Sequence, residues 1–120
     1  MKTADLMELL QSVSDPVMRL DGQGRYVSMN EAAEKAFIRL GRDPVTIIGQ
    51  AVWDVFSELK GTTMQYELRR ALEDDVPILY EFYYAADQRW YEAESFPSSP
   101  GAVLIVKDIT KRKALRSEPG

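Results

Sequence analysis

The sequence predicts an α+β domain: one five-stranded antiparallel sheet with its main helices inserted after strand two. Three observations carry this. The apolar patterns run in the order helix, strand, strand, helices, strand, strand, strand. Short loops join the last three strand patterns, which suits antiparallel neighbours and not the long crossovers of a parallel sheet. A chain of 120 residues that is 45% hydrophobic can bury one core, so a single domain is expected.

Each element has a local reason. Residues 4–13 set Leu6, Leu9, Leu10 and Val13 at helical spacing, with Thr3 or Asp5 as a cap. So short a helix is unstable alone, so its stripe must dock on its own domain or on a second copy. A dimer interface through Leu6, Leu10 and Val13 is therefore expected. Ser14-Asp15-Pro16 stops this helix, because the residue before a proline disfavours helical backbone. Residues 17–21 alternate, Gly22-Gln23-Gly24 turns the chain, and residues 25–29 return as a second strand.

Asn30 then stands at a helix N-cap, with Glu31 near the positive helix end. The helix over 31–40 turns Ala33, Ala36, Phe37 and Leu40 to one side, and Gly41 fits just past its end. Residues 43–59 are unusually apolar for a connection, with Ile47, Ile48, Val52, Trp53, Val55 and Phe56. Such a stretch must be packed, and it suits the wall of a cavity. Gly61 breaks the chain, and Thr62 or Thr63 caps a helix whose stripe is Met64, Leu68, Ala71 and Leu72. Strands follow over 77–84, 89–96 and 102–107, joined by Asp87-Gln88 and by the loop 97–101. Asp108-Ile109-Thr110 offers a cap for a last helix over 111–116.

Composition narrows the chemistry. The chain has no cysteine and no histidine. That removes disulfides, thiolate nucleophiles, histidine triads and most zinc sites. No aliphatic run approaches the roughly 20 residues needed to cross a bilayer, and no apolar leader opens the chain. A cytoplasmic domain without membrane insertion is expected. Residues 109–120 carry four basic residues against one acidic (+3), and residues 1–108 eleven against eighteen (−7). An acidic body argues against nucleic-acid contact. The basic tail is expected as a solvated helix start. Glu73-Asp74-Asp75 lacks calcium-loop spacing, so no metal site is expected.

Four passages resemble the PAS domain, a small sensory module of bacterial signalling proteins. DPVMRLDGQGRYVSMN (15–30) is similar to its first hairpin and helix-capping Asn. IGQAVWDVF (48–56) is similar to a Gly-x-x-x-Trp-Asp-x-Phe phrase of its helical connector. RWYEAESFP (89–97) and VLIVKDIT (103–110) are similar to its last two strands and closing Asp-Ile-Thr motif. The resemblance implies a domain over 15–108, flanked by a helix over 1–14 and the start of a linker helix over 109–120. It implies signal relay through Asp108 and Thr110, capping by Asn30, turn positions at Gly24 and Gly49, and an interior lined by Trp53 and Phe56. Asp87-Gln88 stands where the family's Asp-Gly turn would fall.

The same resemblance sorts the cofactors. Cysteinyl-flavin and linked chromophores need a cysteine, and haem of the common type needs a histidine, so this composition excludes them. Non-covalent flavin stays open. The expected occupant is a small non-covalent ligand, uncharged or amphipathic, in an apolar interior. Its candidate liners are Met18, Leu20, Met29, Phe37, Leu40, Ile48, Trp53, Phe56, Met64, Leu68, Phe82 and Ile105. The plainer alternative is a filled core. The function expected is a regulatory module of a signal transduction protein, not an enzyme. It would bind a ligand or dimerise, and relay the change through the C-terminal helix to an effector in cis or in trans. A sensor histidine kinase, a cyclic-dinucleotide enzyme or a transcription regulator would fit. Two alternatives remain: a small cone-shaped enzyme or carrier using an acid–tyrosine pair, best guessed as Glu92 opposite Tyr80, and a structural dimerisation domain.

Overall fold

A computed structural model describes residues 14–117. The flanking helix expected over residues 4–13 and the interface expected at Leu6, Leu10 and Val13 fall on residues outside those described. In chain order the elements are β1 (Val17–Leu20), β2 (Tyr26–Met29), α1 (Glu31–Arg39), α2 (Pro44–Ile47), α3 (Val52–Val55), a 3-10 turn (Ser57–Leu59), α4 (Thr63–Asp74), β3 (Ile78–Tyr84), β4 (Arg89–Ser98), β5 (Gly101–Asp108) and α5 (Thr110–Ser117). The strands form one antiparallel sheet in the order β2-β1-β5-β4-β3. The expected α+β class and the helices inserted after strand two are therefore present.

β5 is central, between β1 and β4. Its junction with β1 depends on Gly101, where a Cβ would collide with the Leu20 carbonyl oxygen. Gly24 and Gly49 take positive φ, 76° and 89°, which a side chain would strain. In the β3–β4 turn Gln88 adopts φ 57°, so a non-glycine residue holds the left-handed position.

Asn30 joins α1 to the sheet. Its Oδ1 accepts from the N–H of Ala33 (2.9 Å), which caps the helix, and from the N–H of Val17 (3.0 Å). Its Nδ2 donates to the Asp15 carbonyl (3.0 Å). The residue is fully buried, and these bonds are what make a buried amide tolerable.

The connector is held by backbone. The Tyr26 N–H donates to Gln50 O (3.0 Å), the Gly49 N–H to Tyr26 O (2.8 Å), and the Val52 N–H to Gly24 O (3.0 Å). Residues 49–52 thus cover the outer edge of β2. Thr62 precedes α4, but its hydroxyl donates back to the Leu59 carbonyl (2.6 Å) and leaves the helix start uncapped by a side chain.

Alternation on β3 and β4 assigns the faces. Ile78, Tyr80, Tyr84, Tyr91 and Ala93 join the main core with Leu20, Ala33, Leu68 and Leu104. Glu81 and Glu92 stand opposite each other on the other face, as do Tyr83 and Trp90. Val17 and Val103 form a second small cluster, with Ile105 packed against it.

Candidate functional site: an aromatic cavity under the sheet

A cavity of about 280 Å³ lies between the inner sheet face and the wall made by α1, α3 and α4. Met18, Phe37, Leu40, Phe56, Met64 and Phe82, all named from sequence, line it. The other six named residues do not. Leu20 and Leu68 are fully buried in the core beneath it. Met29 and Trp53 pack on the core as partly buried residues. Ile48 is exposed (43%), because the backbone bonds of Gly49 turn it outward. Ile105 belongs to the opposite face, with Val17 and Val103. For these six the expected position in the cavity is corrected: composition marks them as apolar but does not say which apolar surface they join.

Sequence reasoning did not place Tyr26, Tyr84, Tyr91, Arg39 and Arg89 in the cavity, and they also line it. The three tyrosine rings complete an aromatic lining. Tyr26 meets Phe37 edge-on (5.4 Å), Phe37 lies 5.7 Å from Phe56, and Phe56 meets Tyr84 edge-on (5.9 Å). On the sheet beside Tyr84, Phe82 stacks on its cross-strand partner Tyr91 (5.6 Å). The available signal was parity: Tyr84, Arg89 and Tyr91 share the core face once Ala93 is placed inside.

The polar groups gather at one rim. The Tyr91 hydroxyl donates to the Asp87 carboxylate, and the Tyr84 hydroxyl donates to that of Glu58. Arg39 donates to the Tyr91 oxygen (3.1 Å) and to Asp87 (3.3 Å). Burial, then the neighbouring carboxylate, pushes the Tyr91 phenol up to about 12, and the same causes raise Tyr84. The Tyr84 hydroxyl holds Glu58 below its ordinary value. Burial raises Tyr26 as well. These tyrosines stay protonated, as donors, at neutral pH. Arg42 braces the wall from outside, its guanidinium 4.9 Å from the Phe56 ring centre and bonded to the Val55 carbonyl (3.2 Å).

The acid–tyrosine pair expected at Glu92 and Tyr80 does not form. Tyr80 stands opposite Ala93, and Glu92 opposite Glu81 on the other face. The register of β3 on β4 decides this, and the loop sequence does not reveal it.

Asp108 belongs to two structures at once. It lines the rim, and its Oδ1 accepts from the Thr110 N–H (2.9 Å) at the start of α5. Its Oδ2 accepts from Arg89 (2.8 Å). Burial pushes the Asp108 carboxyl up, but Thr110 and Arg89 outweigh it and leave the group below its ordinary value. Thr110 does not cap α5 with its side chain. Its hydroxyl accepts from the Trp90 N–H (2.9 Å), and the Ile109 N–H donates to Trp90 O (2.8 Å), so the helix start is tied to β4.

The basic helix is not merely solvated, which corrects the sequence expectation. Arg112 pairs with Glu92 (2.8 Å) and Glu81 (3.4 Å), and Lys113 with Glu81 (2.7 Å). The Lys113 ammonium also sits 4.3 Å from the Trp90 ring centre. Among the described residues no helix is long and apolar enough to cross a membrane.

The family model described as "PAS fold" matches residues 10–114. Among solved structures the chain resembles the PAS domain of Bordetella pertussis BvgS, with a TM-score of 0.68 and 17% identity over 94% of this chain and 90% of that one. It also resembles the PAS domain of a protein from Colwellia psychrerythraea, at 0.63 and 23% over 91% and 98%. A third is a domain of an HTR-like protein from Haloarcula marismortui, at 0.61 and 23% over 82% and 100%. No curated protein sequence matches the chain. The match to the family model spans most of the chain, and the chain belongs to the PAS fold family.

Proposed function

We propose that this PAS domain is a sensory module that binds a small ligand in the aromatic cavity and relays occupancy to α5. One observation carries the reading: the carboxylate of Asp108 touches both the cavity rim and the first N–H of the helix that leaves the domain. A ligand that prefers one arrangement of that rim shifts the helix by its difference in affinity, and by no more. The likeness to domains of sensor histidine kinases, such as one from Geobacter sulfurreducens at 14% identity and TM-score 0.62, supports a signalling context.

A regulatory role suits the site better than catalysis. The tyrosine beside Glu58 holds that carboxyl ionised, so it is not poised to give up a proton at neutral pH. Homodimerisation through residues 4–13, an effector in cis or in trans and a cytoplasmic setting belong to the same proposal.

The test is a small set of one- and two-ring probes: indole, 2-naphthamide and 2-naphthoate. At least one should raise the Tm of the whole chain and change amide hydrogen exchange over residues 110–117. A set in which none does either overturns the reading.

A further inference from the structure

We propose that the cavity selects an amphipathic anion, a flat aromatic body bearing one carboxylate that Arg89 and Arg39 hold. This rests on the cavity being a ligand site and names the class of ligand.

The body follows from the walls. Tyr26, Phe82, Tyr84 and Tyr91 on the sheet and Phe37 and Phe56 on the helical side all line the space, each ring in contact with another. Aromatic walls favour stacked and edge-on partners, so a planar ring gains more there than an alkyl chain. The volume, about 280 Å³, is nearly twice the ~150 Å³ cavity that holds a benzene ring. One or two fused rings fit.

The head follows from the rim. Its cationic lining side chains, among the described residues, are Arg39 on α1 and Arg89 on β4, two residues before Tyr91. A guanidinium has five N–H donors in a planar fork matched to a carboxylate. Arg89 uses one on Asp108, and Arg39 uses two, on Asp87 and Tyr91. Spare donors therefore remain at the mouth of an apolar cavity.

The rim is also electrically balanced, because each arginine already faces one carboxylate. A ligand anion must share or replace one of these. The Asp87 side chain is 11% exposed and the Asp108 side chain 38%, so Asp108 is the exchangeable partner. A carboxylate that takes the Arg89 fork leaves Asp108 with Thr110 alone and loosens the start of α5 from β4. A neutral ligand fills the same space and leaves the Arg89–Asp108 pair closed. The ligand charge thus decides whether occupancy reaches the helix.

The experiment compares 2-naphthoate with 2-naphthamide on the whole chain by titration calorimetry at neutral pH, with hydrogen exchange over 110–117 as the second readout. Naphthoate should bind at least tenfold tighter, and it alone should speed exchange in 110–117. Arg89→Gln should cut the preference for naphthoate over the amide several-fold, and Arg89→Lys should restore part of it. Equal affinities and equal exchange in the unaltered chain overturn the anion while leaving the cavity as a ligand site. Binding of neither compound overturns the anion, and if indole also fails to bind the ligand site falls with it. The comparison on the unaltered chain stands even where a variant fails to fold.

Discussion

Neighbouring residues of β3 and β4 belong to surfaces held by different forces. On the inner face Tyr80, Phe82, Tyr84 and Tyr91 join Leu68 and Phe56 in the core. On the outer face Tyr83 packs on Trp90 at 5.5 Å, and Glu81 and Glu92 pair with Arg112 and Lys113 of α5. The inner face is held by removing apolar area from water, which salt barely touches. The outer face is held by ion pairs between half-exposed side chains, which are weak and screened. On the proposed reading, ligand binding would draw on the first surface and helix release on the second, because the second is the cheaper to open.

The sharpest way to break this comparison is to weaken the inner face. Leu68 is fully buried on α4. Leu68→Ala should lower stability by about 3–5 kcal/mol in urea unfolding, the range for a buried leucine truncated to leave a cavity. A loss under about 1 kcal/mol would mean that α4 is not what closes the core.

A smaller effect belongs to the outer face. Glu81→Gln removes the shared partner of Arg112 and Lys113. It should reduce stability by at most ~1 kcal/mol, yet raise hydrogen exchange clearly in 110–117. In 1 M salt, with a screening length of ~3 Å, the unaltered chain should exchange like the variant. Continued protection of 110–117 in high salt would show that α5 is held by apolar contact and that the two faces do not differ in kind.

The smallest effect is pH dependence. Asp108 and Glu58 are both held below their ordinary values, 3.8 and 4.5. A group depressed in the folded chain stabilises it above its unfolded value and loses that contribution as pH falls through the folded value. Thermal stability should therefore be insensitive to these two groups from pH 7 to about 5 and decline below about 4.5. Asp108→Asn should remove its share of that decline. An unchanged acid limb in the variant would mean that the Arg89–Asp108 pair contributes nothing to stability.

Much of the site was legible, and the division has a cause. Met18, Phe37 and Met64 could be named because each repeats on one side of its own element, and Phe56 because its connector is too apolar to face water. Ile48 and Ile105 failed because a β-branched apolar residue reads alike on either side of a strand or at a turn. Tyr84 read as sheet packing without a face, and Arg39, Arg89 and Tyr91 were passed over because polar side chains read as surface until a neighbouring strand places them over a cavity. The latch of Arg112 and Lys113 was invisible for the same reason, since its acidic partners lie about 20 to 30 residues away.

By itself the sequence determined the order of elements, the hairpin over 17–29, the Asn30 cap and the Asp108–Thr110 junction. Each depends on residues close along the chain, where proline, glycine and short polar side chains set the backbone directly. Tertiary structure alone decided that β5 lies between β1 and β4, which face of β3 and β4 points inward, and hence which rings and arginines surround the cavity. A strand with aromatic residues on both sides has no preferred face until other elements exclude water from one of them.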